Sequence, residues 1–341
     1  MSDKIRVIQV GLGGMGQGWL NNLVKNDDIE IAGVVDLREE AALAAAEKVG
    51  IDAENAHTEM SAALEKHHPD AVVDVTIPAA HREVTLTALA AGCHVIGEKP
   101  LSDSLSNAQE MVRAAEEAGK IYMVSQNYRW AKPVRAIRKA IQEGLIGKVT
   151  TANIDFYIGA HFGGFRDEMD HPLLLDMSIH HFDMLRCVTG ADPRAVYCHE
   201  FNPHGSWYQG DVATTAVFEM TEGILFTYRG SWCAEGHNTG WNGIWRIIGD
   251  RGTIIWDGGD GLTAEILTDA EEGFTRPKEE VEIEKPDVGP EGLAGSLARF
   301  VSAIREGSKP ETWCGDNIRS VAMVFGAVES AGRSERIEVK W

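Results

Sequence analysis

The sequence predicts an α/β domain built on a doubly wound parallel sheet, followed by a second domain whose short strands form an antiparallel, one-sided sheet. Three observations predict this. Apolar strands alternate with helical segments through the first third of the chain, the pattern of a parallel sheet covered on both faces. The first of those strands breaks into a run of glycines. Beyond a linking helix around Pro133 to Glu143, short strands follow one another through hairpin turns.

The elements follow in order. Ile5 to Val10 is an apolar strand, and the chain then resumes with helical spacing at Trp19, Leu20 and Leu23. "IEIAGVVD" is a second strand ending in Asp36, and "REEAALAAAEKVG" is a helix stopped by Gly50. A weaker strand is expected near Ala56 to Glu59. "DAVVDVTIP" is a third strong strand, "HREVTLTALAAG" a short helix, and "CHVIGEKP" a fourth strand. A further helix has Ser104 as its N-cap and Gly119 near its end. It leads to the strand "IYMVSQNY", which closes a first domain over 1–125 and opens a second over 126–341. There "KVTTANIDFYIG", "RAVYCHEF", "DVATTAVFEM", "GILFTYRGSW", "NGIWRIIGD" and "GTIIWDG" read as strands. Helices over Glu291 to Arg305 and Asp316 to Ala331 and a last strand "RIEVKW" complete the chain. Between the first two strands of this domain, Asp170 to Gly190 reads as one helix, with Pro172 at its start and Gly190 as its stop.

Bulk composition narrows the function. The 341 residues suffice for two domains, and a hydrophobic content of 44% supplies a sizeable core. A formal net charge of −20 argues against a nucleic-acid partner, which needs clustered Lys and Arg. It does not exclude a bound dinucleotide, whose phosphates can be held by backbone N–H groups. The 5 cysteines are scattered and odd in number, which suits reduced, mostly buried thiols rather than a disulfide framework. No apolar run is long enough to span a bilayer, and a cytoplasmic location is expected.

The glycine run Gly11-Leu12-Gly13-Gly14-Met15-Gly16 fits G-x-G-x-x-G. It follows a strand, opens a helix and lies in the first βαβ unit, and Asp36 closes the second strand 20 residues after Gly16. Together these form the dinucleotide-binding fingerprint. Gly11 permits the tight turn, Gly13 lets backbone approach the pyrophosphate, and Gly16 allows close helix–strand packing. Asp36 suits the ribose hydroxyls and repels a 2′-phosphate, which favours NAD; Arg38 beside it is what NADP would use. Ligands of such sheets bind beyond the carboxyl ends of the strands. Thr76, Ile77 and Pro78 lie at one such end, Glu98 and Lys99 at another. His81 fits either a helix-start role or a cofactor contact, and Asn127 follows the last strand of the domain.

In the second domain Asp176, His180 and Asp183 recur at i, i+4 and i+7, so they share one face of a regular helix. A carboxylate one turn from an imidazole can form an acid–base unit; the same spacing also fits ordinary capping and salt bridges. His161, His171, His180 and His181 show no zinc-type spacing, and no metal site is expected. Tyr128, Arg166, His171 and Trp241 are candidate substrate contacts. With 9 tryptophans in the chain, ligand stacking and ordinary core packing both remain open for these rings.

The glycine loop, "TIPAAH", "AAGCHVIGEKPL", "DMSIHHFDML" and "WRIIGDRGTIIWDG", in this order over the whole chain, resemble the glucose–fructose oxidoreductase/inositol dehydrogenase (Gfo/Idh/MocA) family. The resemblance implies an N-terminal Rossmann domain, a C-terminal α+β domain built on a large open, mainly antiparallel sheet, bound NAD(P), and oxidation or reduction of a sugar, glycoside or polyol at a secondary hydroxyl or keto group. It also implies Lys99, Asp176 and His180 as the catalytic set and assembly into a homodimer or homotetramer. Ser178 departs mildly from the family pattern, where a smaller residue is common. A lyase or glycosidase that oxidises transiently and regenerates NAD, or a dinucleotide-binding sensor without turnover, are the competing readings.

Overall fold

The computed structural model describes residues 4–268 and 274–341. The chain forms two compact units, Met1–Asn127 with Gly289–Val321, and Tyr128–Val288 with Ala322–Trp341.

The first unit alternates strand and helix: β1 (Ile5–Val10), α1 (Gly14–Val24), β2 (Ile29–Val35), α2 (Glu39–Val49), β3 (Ala56–His57), α3 (Met60–His67), β4 (Ala71–Asp74), α4 (Pro78–Ala90), β5 (His94–Gly97), α5 (Leu105–Ala118) and β6 (Tyr122–Val124). The strands form one sheet in the order β3-β2-β1-β4-β5-β6, and every pairing is parallel. Val7, Ile8, Val72, Val73, Val95 and Ile96 are all buried, as strands covered on both faces require. The helix ends follow the sequence signals. Ser104 Oγ accepts from the Asn107 amide at 3.2 Å, and Gly50 and Gly119 close α2 and α5 in the left-handed conformation. Helix α3 was not anticipated: its only cues are Ala63 and Leu64 on a short, polar segment. Because β2 and β4 flank β1 on opposite sides, the strand order reverses there, and the carboxyl ends of β1 and β4 open a crevice.

The second unit begins with α6 (Lys132–Gln142) and β7 (Val149–Tyr157). After α7 (Ile179–Thr189) come β8 (Pro193–Phe201), β9 (Ala213–Met220), β10 (Leu225–Ser231), β11 (Ile244–Gly249), β12 (Gly252–Trp256), β13 (Leu262–Leu267) and β14 (Lys278–Glu282). Helix α8 (Gly292–Glu306) and the start of α9 (Cys314–Arg333) lie in the stretch counted with the first unit, and β15 (Ile337–Glu338) ends the chain's second sheet. That sheet has the order β14-β13-β12-β11-β7-β10-β9-β8-β15 and is antiparallel except where β10 pairs with β7. Strands β13 and β14 extend it beyond the sequence reading; β13 alternates buried and exposed residues over its first four positions, whereas the charged, Glu-rich segment of β14 hides the alternation that marks a strand.

One face of this sheet is packed by α7. Phe182 projects from the helix edge-on to Phe218, Phe226 and Tyr228, with centroids 4.9–5.9 Å apart. Burying such a ring contributes about 1.5–3 kcal/mol. The residues alternate with the pleat, so Tyr197, Leu225, Ile244 and Ile255 remain exposed. Cys93, Cys187, Cys198 and Cys314 are buried thiols without disulfides. Among the described residues no helix is long and apolar enough to cross a membrane.

Candidate active site

In the first unit, β1 runs into Gly11, which turns the chain at φ 92°. A Cβ on Gly11 would lie 2.5 Å from the Val75 carbonyl oxygen, and one on Gly16 would lie 2.3 Å from that of Gly11. Neither position has room for a side chain. At Gly13 and Gly14 the same test meets no atom within 4 Å, so the backbone at the start of α1 is bare. The first N–H groups of a helix have no partners within it, which makes this a place for phosphates. Met15, next in the loop, is exposed. The loop is braced from below by buried Gln9, whose Nε2 donates to the carbonyls of Gly11 at 3.0 Å and Gly16 at 2.9 Å.

Asp36, just past β2, turns back to this loop. Its Oδ2 accepts from the Leu12 amide at 2.9 Å, and its Oδ1 accepts from the Arg38 amide at 3.0 Å and Nε at 3.3 Å. A carboxylate offers about four acceptor sites, so capacity remains for hydroxyl donors. The bare helix start, the two glycines that a Cβ would block and the fixed carboxylate together fit a dinucleotide.

At the end of β4, Asp74 is fully buried. Its Oδ1 accepts from the Thr76 amide at 3.0 Å and Oγ1 at 2.6 Å, while its Oδ2 lies 2.8 Å from His81 Nδ1. His81 sits in the first turn of α4, after Ile77 as N-cap and Pro78 at the first turn. Burial pulls its pKa down, but the charge and hydrogen bond of Asp74, with Glu98 and Asp103 beyond, outweigh that and raise it. Thr76 and His81 are therefore tied to Asp74, and Ile77 is left exposed.

At the end of β5, the buried Glu98 accepts from Trp19 Nε1 at 2.7 Å and from the Lys99 amide at 3.2 Å. Burial raises its pKa, against the Trp19 hydrogen bond and the Lys99 charge. Lys99 is half-buried, and its peptide bond to Pro100 is cis. Asn127 is half-buried and opens a short 3₁₀ turn, Asn127–Trp130.

In the second unit the segment from Asp170 to Gly190 is not one regular helix. Leu173–Ser178 is a π-turn, and the α-helix begins only at Ile179. Ser178 supplies a physical reason: its buried Oγ donates to the Leu174 carbonyl at 2.7 Å, the acceptor that a regular helix gives to the amide of residue 178. Asp176 lies in the π-turn, so the face-sharing spacing of a regular helix does not hold there. Its Oδ2 accepts from Arg166 Nε at 2.6 Å. The Arg166 guanidinium also lies over the rings of Phe162 at 4.9 Å and Phe165 at 4.7 Å.

His180 is 7% exposed and stacks on Tyr128, with centroids 4.2 Å apart and ring planes 15° from parallel. The Tyr128 hydroxyl has a raised pKa, first through burial and then through the charge of Asp176. Tyr128, His180, Asp176 and Arg166 thus form one cluster. The neighbouring His181 points into the core instead. It lies 3.1 Å from the Tyr228 hydroxyl and 3.0 Å from the Trp241 carbonyl oxygen, and burial lowers its pKa to about 4. Asp183 is bound bidentately by Arg129, at 2.5 and 2.8 Å. The Trp241 ring lies 6.1 Å from that of Phe162 and is 45% exposed. His171 pairs with Glu200 at 2.7 Å, and exposed His161 with Glu235 at 2.9 Å.

Several groups escaped the sequence reading: Gln9, Trp19, Asp74, Arg129 and Glu200. Glu200 had a visible signal, because it occupies an inward position of an alternating strand where Val196 and Cys198 precede it. Trp19 and Asp74 looked like ordinary core and strand-end residues.

Comparison with known proteins adds to this geometry. The model for the oxidoreductase family with an NAD-binding Rossmann fold (GFO_IDH_MocA) matches residues 5–126, and that for the GFO/IDH/MocA C-terminal domain matches residues 134–255. The 1,5-anhydro-D-fructose reductase of Ensifer adhaerens is 27% identical over 340 residues, 97% of each chain. The D-glucoside 3-dehydrogenase of Escherichia coli is 29% identical over 244 residues, 67% of this chain and 68% of that one. An oxidoreductase from Agrobacterium radiobacter, solved in complex with NAD+, L-tartaric acid and magnesium, superposes with a TM-score of 0.85 at 21% identity over 98% of both chains. At that identity the likeness is one of fold.

Proposed function

Because the chain belongs to the Gfo/Idh/MocA family of NAD-binding oxidoreductases, we propose that it is an NAD-dependent dehydrogenase acting on a secondary hydroxyl of a sugar, glycoside or polyol. The observation that carries the reading is the cluster in which His180 stacks on Tyr128 beside the Arg166-bound Asp176. Relatives named for an anhydro-sugar and a glucoside support the substrate class.

Bound at the glycine loop, NAD supplies the acceptor for the hydride leaving the hydroxyl-bearing carbon. The chain's own residues do the rest. His180 takes the hydroxyl proton, its ring plane held by Tyr128. Asp176, clamped by Arg166, sets the negative field that favours the imidazolium so formed. Lys99 carries the cation that stabilises the developing alkoxide, and Glu98 restrains its backbone. Tyr128, Arg166 and Trp241 contact the sugar, the exposed indole offering an apolar stacking face. Asp36 selects NAD over NADP: its charge repels a 2′-phosphate, and Arg38 is already engaged by that same carboxylate. Exposed Tyr197, Leu225, Ile244 and Ile255 support a homodimer or homotetramer formed through the open sheet face.

The test is a panel of sugars, inositols, glycosides and their keto forms, followed by nicotinamide absorbance with NAD and with NADP. Net NAD reduction with at least one polyhydroxy substrate, and a higher kcat/KM with NAD, is the expected result. Retained cofactor with no net nicotinamide turnover across the panel would contradict it and favour internal cofactor recycling.

A further inference from the structure

In the second unit a set of potential metal-ligating groups meets. His171, just before the π-turn, Glu200 on β8 and Asp211 before β9 bring one ligand atom each to within 4.8 Å of one another. None is near another in sequence, so histidine spacing alone gave no sign of them.

The cluster is built into the fold. The segment before β9 is clamped to the one before the π-turn by backbone hydrogen bonds, Gln209 N to Asp167 O and Asp211 N to Asp170 O, both 2.8 Å. Between them Gly210 lies so close that a Cβ would fall 2.2 Å from the carbonyl oxygens of Met169 and Asp170. This approach holds Asp211 against His171. Glu200 enters from the inward face of its strand, and its side chain is 1% exposed.

The charges do not balance within the cluster. Glu200 Oε2 faces His171 Nδ1 at 2.7 Å, but Oε1 on the same carboxylate is buried with no hydrogen-bond partner among the described residues. A buried carboxylate oxygen left unmade costs more than a neutral group. Asp170 and Asp211 add negative charge around one imidazole. Two carboxylates and an imidazole at these separations are a donor set for a divalent cation, with positions left over for water or a substrate oxygen.

We propose that His171, Glu200 and Asp211 form a divalent-cation site of the kind that takes Mn2+ or Zn2+. The site does not depend on the reaction assigned above, and it is tested without turnover. The full chain, freed of any purification tag and dialysed against chelator, is titrated with Mn2+ and free Mn2+ is read by electron paramagnetic resonance, with Zn2+ as competitor. The expected result is one saturable Mn2+ per chain, displaced by Zn2+ and weakened about tenfold or more by either Glu200→Gln or Asp211→Asn, the scale of losing a ligand or its support. Circular dichroism checks that each variant is folded. Asp211, half-buried at the edge of the cluster, keeps the test decisive if the Glu200 variant does not fold. No saturable Mn2+ binding by the wild type, or binding undisturbed in folded Asp211→Asn, overturns the proposal and leaves a closed His–Glu ion pair.

Discussion

At the glycine loop the first unit positions its groups largely with backbone; around the π-turn the second unit does so with side chains. Gly11 and Gly16 are fixed by carbonyl oxygens that leave no space for a Cβ, and Gln9 braces the same carbonyls. Asp176 and His180 are fixed by a guanidinium and a phenol ring, from residues 166 and 128. The difference teaches which substitutions each half tolerates. A backbone cradle fails when atoms are added. A side-chain cluster fails when they are removed.

The largest expected effect lies in the second unit. His180→Ala should lower kcat by about 10²–10⁴-fold, the usual contribution of a positioned general base. The dissociation constant for NAD, measured by isothermal titration, should stay at the wild-type value. A variant that loses both would break the division between the two halves.

The neighbouring imidazole gives a second contrast inside one helix turn. His181 is buried and neutral, with a pKa lowered from 6.5 to about 4. As the pH falls below 6.5 the unfolded chain takes up this proton and the folded chain does not, so stability present above pH 6.5 is lost progressively down to about 4. The loss attributable to this residue is about 3 kcal/mol, from the pKa difference at 1.36 kcal/mol per unit. Urea midpoints measured over this range should slope less in His181→Gln than in the wild type. Equal slopes would mean that His181 is not the buried neutral group.

The smallest effect is expected in the first unit. Gly16→Ala forces a Cβ against the Gly11 carbonyl, at 2.3 Å unless the loop moves. Overpacking of this kind costs about 1–3 kcal/mol, which corresponds to NAD binding weakened about 10- to 100-fold. The kcat at saturating NAD should change much less. An unchanged dissociation constant would show that the loop is not the cradle.

Legibility in the sequence followed the same division. The first sheet was readable because each feature is local: apolar runs, glycines at fixed offsets, an aspartate at a strand end, and caps at Ser104, Gly50 and Gly119. Its supports were not, because Trp19 meets Glu98 from 79 residues away and nothing in either segment announces the pair. In the second unit the Asp-x-x-x-His spacing stood out, but the regular helix assumed for it did not form. Ser178, noted only as a mild departure, bonds the Leu174 carbonyl where the π-turn ends. Of the doubled histidines the Asp-x-x-x-His spacing favoured His180; that His181 turns into the core depends on the sheet packed beneath α7, which no local signal announces. The Glu-rich strand β14 was missed because a solvated edge strand needs no apolar alternation.

One side chain of the first unit, Lys99, is assigned chemistry at the reacting oxygen. Lys99→Ala should be compared with the wild type for nicotinamide reduction at saturating substrate and for NAD affinity in the same preparation. The kcat of Lys99→Ala should fall by about 10²–10³-fold, the scale of removing one preorganised donor from a developing oxyanion, with NAD affinity retained. Near-normal turnover, or a loss traced wholly to weaker NAD binding, would contradict it.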